Sequence, residues 1–252
     1  VTQSFADHFS GVAEAYASFR PQYPQALFAY LAGLTTGRDL AWDCAAGSGQ
    51  ATMSLLPFFD RIIATDASKA QLSAARAHPK VTYHVALAED SGIADGSVNL
   101  VTVAQAAHWL DLERFYAEVR RVLVPEGIIA MWAYGLHRIG DGEIDRAINF
   151  FYKHVVGAYW PTERALIEAG YRTISFPFDE ASPPGFEMVA HWTLPQLLGY
   201  LRTWSAVDRY RTAKGIDPVV ALESEIAPWW GDEQRRRRVT WPLALRVGSV
   251  RR

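Results

Sequence analysis

Between residues 40 and 135 one rhythm repeats: a short apolar run, then a stretch whose apolar residues fall three and four apart. The runs at 40–45, Arg61–Asp66, 81–87, 98–103 and 127–134 each have the usual length of a strand. In one intervening segment Leu112, Phe115, Tyr116, Val119, Val122 and Leu123 put a single apolar stripe on a helix, which Pro125 and Gly127 are expected to stop. Strand, helix, strand in this order means crossover connections, and these predict a parallel sheet with helices on both faces. The runs carry few charges, as strands buried on two sides should.

The flanks read differently. Two helix candidates precede residue 40, with Pro21 and Pro24 between them and an apolar stripe of Leu27, Phe28 and Leu31 on the second. Past residue 135, Ile148, Phe151, Tyr152, Val155, Val156 and Tyr159 predict an amphipathic helix. A strand is expected at 171–178, a turn at Pro183 and Pro184, a helix around Leu197, Leu198 and Leu201, and a last strand at 241–247. No internal repeat, low-complexity tract or linker interrupts the chain. The expectation is one domain over 1–252: lid helices to residue 36, a core over 37–135, and a substrate-shaping remainder from 136.

Composition narrows the function. With 25 basic and 27 acidic residues the net charge is −2, so no general affinity for nucleic acid is implied. Cys44 is the single cysteine and no Cys/His spacing fits a zinc site, which points to a reducing compartment and no metal. The opening VTQSFADHFSG is polar where an export signal would be apolar, and the longest apolar run, 128–134, is far too short to cross a bilayer. A cytoplasmic protein without membrane contact is expected. The run 235–238 of arginines reads as a solvated face, and Cys44 as a small buried apolar residue.

The chemistry concentrates in LAWDCAAGSGQAT, residues 40–52, an apolar strand, an acid, and a small-residue loop opening into a helix. Ala45, Gly47 and Gly49 leave room for a ligand to approach the backbone, though a tight strand-to-helix turn would use the same residues. The next strand ends in Asp66, 23 positions after Asp43. An acid there is placed to accept the two hydroxyls of a ribose; alternatively it caps the helix that starts near Ser68. A dinucleotide loop requires a third small residue where Thr52 stands, and a phosphate loop requires Gly-Lys-Ser/Thr. Neither is present. Asp43 would repel a pyrophosphate but attract the ammonium of a methionine moiety. The ligand that fits is S-adenosylmethionine (SAM), with a nicotinamide-dependent oxidoreductase as the rival and a SAM-binding domain without catalysis as the non-enzyme alternative.

At these residues the chain resembles the class I SAM-dependent methyltransferases of the type 11 group, in the branch similar to trans-aconitate methyltransferase. The glycine loop of that family matches as Asp43, Ala45, Gly47 and Gly49, and its ribose acid as Asp66. VALAED matches the adenine motif, AQAAHW the motif after the fourth strand, and RVLVPEG the motif before the fifth. Tyr16, Arg20, Pro21, Tyr23 and Pro24 match an N-terminal motif that folds over the cofactor. The resemblance implies a Rossmann-like α/β fold with a seven-stranded, mostly parallel sheet, an N-terminal helical lid and a helical insertion between strands five and six. It implies cofactor contacts at Asp43, Ala45, Gly47, Asp66, Ala67, Leu87, Ala88, Glu89 and Gln105, with Tyr16 and Arg20 from the N-terminus. Two glycines of the family pattern are replaced, by Ala45 and by Glu126, and alanine adopts positive φ only at a cost.

Methyl transfer from an activated sulfonium needs alignment, exclusion of water and, for some acceptors, a base. His108 stands where the methyl should point, as a base or as a group that shapes the pocket. Tyr23, Trp109, Tyr134, Trp160 and Trp204 are candidates for an acceptor pocket, or for core. The expected reaction moves a methyl group to an oxygen or nitrogen of a small molecule, a carboxylate by family likeness or a planar heterocycle by aromatic content. The Asn/Asp-Pro-Pro-Tyr motif of DNA-amine methyltransferases is replaced by Ala-Gln-Ala-Ala-His-Trp, which argues against a nucleic-acid substrate.

Overall fold

The computed structural model describes residues 21–250. Tyr16, Arg20 and the first of the two N-terminal helix candidates lie outside the described residues. The chain enters through α1 (Gln25–Leu34), which buries Leu27, Phe28, Leu31 and Ala32. Pro24 takes the extended cap position of this helix rather than its first turn.

The five runs of the repeating segment become β1 (Leu40–Cys44), β2 (Arg61–Asp66), β3 (Val81–Val85), β4 (Val98–Ala104) and β5 (Leu123–Tyr134), all parallel to one another. The helices α2 (Gln50–Leu55), α3 (Lys69–Ser73) and α4 (Leu112–Val122) make three of the connections, and β3 passes to β4 through turns. Along β5, Ala130, Trp132 and Tyr134 face one core, while Ile129, Met131 and Ala133 face the other. This two-sided burial explains why the run carries no charge from residue 127 onward. Asp111 caps α4 by accepting from the amide of Arg114, and the helix stops at Val122, before Pro125 and Gly127. Those two residues lie inside β5 instead, at an irregularity in its register with β4. Gly127 fits there because a side chain would press on the Val124 carbonyl at 2.8 Å.

The second half departs from expectation. Residues 171–178 form turns and coil, not a strand. Gly170 and Tyr171 both have left-handed backbone (φ +60° and +58°), which breaks an extended run at its start. The apolar residues that imitate a strand are side-chain anchors: Tyr171 and Ile174 enter the core, and Phe176 and Phe178 pack on Tyr116. The outer edge is formed by β6 (Asp179–Ala181) and β7 (Phe186–Trp192), both antiparallel to β8 (Arg237–Ser249). Pro183 and Pro184 lie in the gap between them; neither can donate a ladder hydrogen bond, so the edge is in two pieces.

The mixed sheet therefore has eight strands, in the order β3-β2-β1-β4-β5-β8-β6 with β7 also on β8. This is the Rossmann-like arrangement expected, with one strand more than seven. The helical material is divided as well. The helices α5 (Gly142–Phe150) and α6 (Arg164–Glu168) precede β6, whereas α7 (Leu194–Arg202), α8 (Ser205–Lys214) and α9 (Val219–Trp230) lie between β7 and β8. The single helix expected through Tyr159 ends at Phe150 and continues as a widened turn over Phe151–Val155 and a tight one over Gly157–Tyr159. Among the described residues no helix is long and apolar enough to cross a membrane, and no cluster of His, Cys, Asp or Glu could hold a metal.

Candidate functional site

The C-terminal tips of β1, β2, β4 and β5 gather most of the predicted site residues. Three positions of the loop after β1 have left-handed backbone: Ala45 (φ +53°), Gly47 (+58°) and Gly49 (+83°). For the alanine this conformation costs on the order of 1–2 kcal/mol. A Cβ on Gly49 would come within 3.0 Å of the Tyr83 hydroxyl, so glycine is required there on two counts. Glu126, the other replacement of a family glycine, also has positive φ (+61°).

Asp66 ties this loop to the next strand. One carboxylate oxygen accepts the amide of Gly47 at 2.9 Å and the other accepts that of Ser68 at 2.8 Å. Helix α3 is capped by Ser68 rather than by Asp66. The acid, Gly47 and Ala67 thus form one unit at the strand tip. Asp43 is engaged differently. It is wholly buried, and its two oxygens accept hydroxyl hydrogen bonds from Thr52 (2.5 Å) and Thr102 (2.9 Å). Burial raises its pKa to about 6, against the lowering effect of those hydroxyls. Thr52, which breaks the dinucleotide pattern, is the residue that holds this buried acid, and sequence reasoning missed both threonines as its partners.

Past β3, Leu87 is half exposed, Ala88 is buried, and Glu89 accepts the amide of Asp111. A flat base could lie on Leu87 without displacing anything from the core. The Gln105 side chain is committed to β5, pairing with the backbone of Tyr134 through its amide nitrogen (3.0 Å) and oxygen (2.9 Å). It extends the strand ladder at the crevice and sits, like Ala45, at positive φ (+59°).

The described part of the N-terminal motif reaches the same place. Gln50 at the start of α2 donates to the Pro21 carbonyl, and Tyr23 packs edge-on against Trp132 and Tyr134, with ring centroids 5.5 and 6.4 Å apart. His108 and Trp109 sit on a short turn after β4, ring centroids 4.7 Å apart. Nδ1 of His108 is 2.8 Å from the hydroxyl of buried Tyr171. Burial, reinforced by the cation of Arg164, lowers the His108 pKa to about 4, so the imidazole is neutral at pH 7.

Trp160 and Trp204 belong to a separate aromatic group with Tyr152, each ring within 5.7 Å of the other two. Arg164 links that group to the His108 corner: its guanidinium lies 4.6 Å above Trp160 and its Nε donates to the Tyr152 hydroxyl at 2.7 Å. Beside Trp204 lies His137, buried against Tyr200 and Trp241, with neither ring nitrogen hydrogen-bonded. Burial alone lowers its pKa to about 3. Arg164, Tyr171 and His137 gave no sequence signal, because they lie beyond the repeating segment where no motif marks them.

A family of proteins defined by a methyltransferase domain matches residues 42–131, from inside β1 to inside β5. A Dictyostelium discoideum protein named as a methyltransferase is 33% identical over 225 residues, 88% of this chain and 86% of the relative. A Saccharomyces cerevisiae protein named as an S-adenosylmethionine-dependent methyltransferase is 34% identical over 148 residues, 55% of this chain and 50% of the relative. Among solved structures, one named as a type II methyltransferase from Anaeromyxobacter dehalogenans is 44% identical, with a TM-score of 0.88 over 93% of this chain and 100% of that one.

Proposed function

This chain belongs to the class I SAM-dependent methyltransferases, and on that premise we propose that it moves a methyl group from SAM to an oxygen or nitrogen of a small molecule. The observation that carries the reading is the carboxylate of Asp66, held at the tip of β2 by the Gly47 amide. It joins the small-residue loop and the acid at the tip of β2 in one unit. The residues fit this donor. Asp66 would hold the ribose, the backbone at Gly47 would face the methionine portion, and Leu87 and Ala88 would flank the base. Asp43 would act through its buried charge, not by direct contact, because both its oxygens are turned inward to threonines. Tyr16 and Arg20 are proposed to close over the donor.

The donor supplies a methyl already activated by positive sulfur, so the protein's contribution is chiefly orientation and exclusion of water. Tyr23, Trp132 and Tyr134 form an apolar wall beside the strand tips, and His108 and Trp109 stand on the turn after β4. Trp160 and Trp204 supply flat surface farther into the C-terminal half. Likeness to the trans-aconitate branch supports a carboxylate acceptor, and the aromatic wall supports a planar heterocycle.

The test is a pair of melting curves. S-adenosylhomocysteine (SAH), the demethylated product, at a hundred times its dissociation constant should add about 2.7 kcal/mol of stability. For a chain of this size that is a rise of roughly 5–10 °C. NADH should add nothing. A rise with NADH alone would replace the proposal with the oxidoreductase reading.

A further inference from the structure

Tyr171 is an unusual residue to find at positive φ, since bulky side chains avoid the left-handed region. It is nonetheless completely buried, and its hydroxyl lies 2.8 Å from Nδ1 of His108. Strain of this kind persists where the surroundings fix a residue: here the Tyr171 amide closes on the Leu166 carbonyl, its own carbonyl accepts from Arg246, and its side chain is delivered to His108.

The direction of the hydrogen bond to His108 follows from counting protons. Burial drives the phenol pKa well up, so the hydroxyl keeps its hydrogen, and among the described residues its one side-chain hydrogen-bond partner is Nδ1 of His108. A buried donor left without an acceptor costs more than an unfilled lone pair, so the hydrogen goes to Nδ1. A neutral imidazole has a single N–H. If Nδ1 accepts, Nε2 carries the hydrogen. Among the described residues Nε2 has no hydrogen-bond partner, and it is not sealed from solvent.

We propose that Tyr171 is a positioning residue that fixes His108 as the Nε2–H tautomer, making His108 a hydrogen-bond donor toward the methyl acceptor and not the base that deprotonates it. The location facing the acceptor rests on the methyltransferase reading above; the tautomer does not. The consequence concerns substrate class. With no base from His108 at this corner among the described residues, and with burial and Arg164 disfavouring an imidazolium, the acceptor atom is one with no proton to lose, such as an ionised carboxylate oxygen or a pyridine-type nitrogen. After transfer the former leaves as a neutral ester, and no proton must be removed.

The experiment is nitrogen NMR of the full chain with ring-labelled histidine, with His108 assigned by the signal lost in His108→Gln. The expected result at pH 7 is protonated Nε2 and unprotonated Nδ1. In Tyr171→Phe the tautomer ratio should move toward Nδ1–H by about tenfold, the equivalent of one net hydrogen bond. A wild-type ring carrying its hydrogen on Nδ1 overturns the proposal, and so does an unchanged ratio in a folded Phe variant. Should that variant fail to fold, the wild-type spectrum alone decides. Calorimetric titration with SAH is run on the same samples: absence of binding would sink the methyltransferase reading while leaving the tautomer result standing.

Discussion

The two walls of the crevice are built from different materials. On the side of β1 and β2 the wall is backbone and small polar groups: Asp66 on the Gly47 amide, and Asp43 between two threonine hydroxyls. On the side of β5 and the C-terminal half it is aromatic packing, buried except for half-buried Trp160: Tyr23 with Trp132 and Tyr134, then Tyr152, Trp160 and Trp204. On the proposed function the first wall would recognise the donor by main-chain geometry that tolerates little variation. The second offers shape, set by whichever rings the later helices bring in. On the proposed function, the contrast makes donor and acceptor recognition separable, in chemistry and in chain position.

The sharpest way to break this comparison is to damage the aromatic wall and watch the polar one. Trp204 is nearly buried among Phe151, Tyr152, Trp160 and Tyr200. Trp204→Ala should therefore cost about 3–5 kcal/mol in denaturant unfolding. The folded fraction should still bind SAH within about twofold of wild type. A parallel collapse of SAH affinity would show that the walls are one unit.

Next is the buried acid. Asp43 has a folded-state pKa raised to about 6 from 3.8, so the folded protein holds that proton more tightly than the unfolded chain. The stability it brings is present below pH 4 and is lost as the pH climbs through 6, by roughly 3 kcal/mol in all. Asp43→Asn carries no such charge. Unfolding curves at pH 4.5 and 7.5 should show the variant gaining on wild type at the higher pH; a gap that does not change with pH would mean the carboxylate is not held in a dry site.

Asp66→Ala acts on the polar wall alone. It should weaken SAH by about 2–3 kcal/mol in calorimetry, the loss of one or two charge-assisted hydrogen bonds. Unchanged affinity would remove Asp66 from the site. The smallest effect is at Ala45, where relief of positive φ in Ala45→Gly should stabilise the fold by about 1 kcal/mol and raise the melting temperature by roughly 2–4 °C. A fall in melting temperature would mean that the alanine is not strained.

The same contrast explains what could be read from the amino-acid order. The polar wall is written in local patterns: strand β1, small-residue loop, then Asp66 ending β2, all within 27 residues from Leu40 to Asp66. Even the cost of two missing glycines was visible, since Ala45 and Glu126 both prove to lie at positive φ. The second half was misread where apolar residues serve side-chain packing instead of a ladder. Ile174, Phe176 and Phe178 alternate like a strand, yet with Tyr171 they anchor a loop. Nor could periodicity show that Arg164 lies over Trp160, or that Tyr171 meets His108 across 63 positions. Such contacts depend on how whole helices settle on the sheet, and no short pattern encodes that.

The most direct examination is a crystal structure of the complex with SAH. The ribose hydroxyls should lie on the Asp66 carboxylate and the base on Leu87 and Ala88, with sulfur turned toward Tyr23 and the His108 imidazole. An adenosyl group found instead among Trp160, Trp204 and Tyr152, with Asp66 holding only its two backbone amides, would contradict the assignment of the two walls.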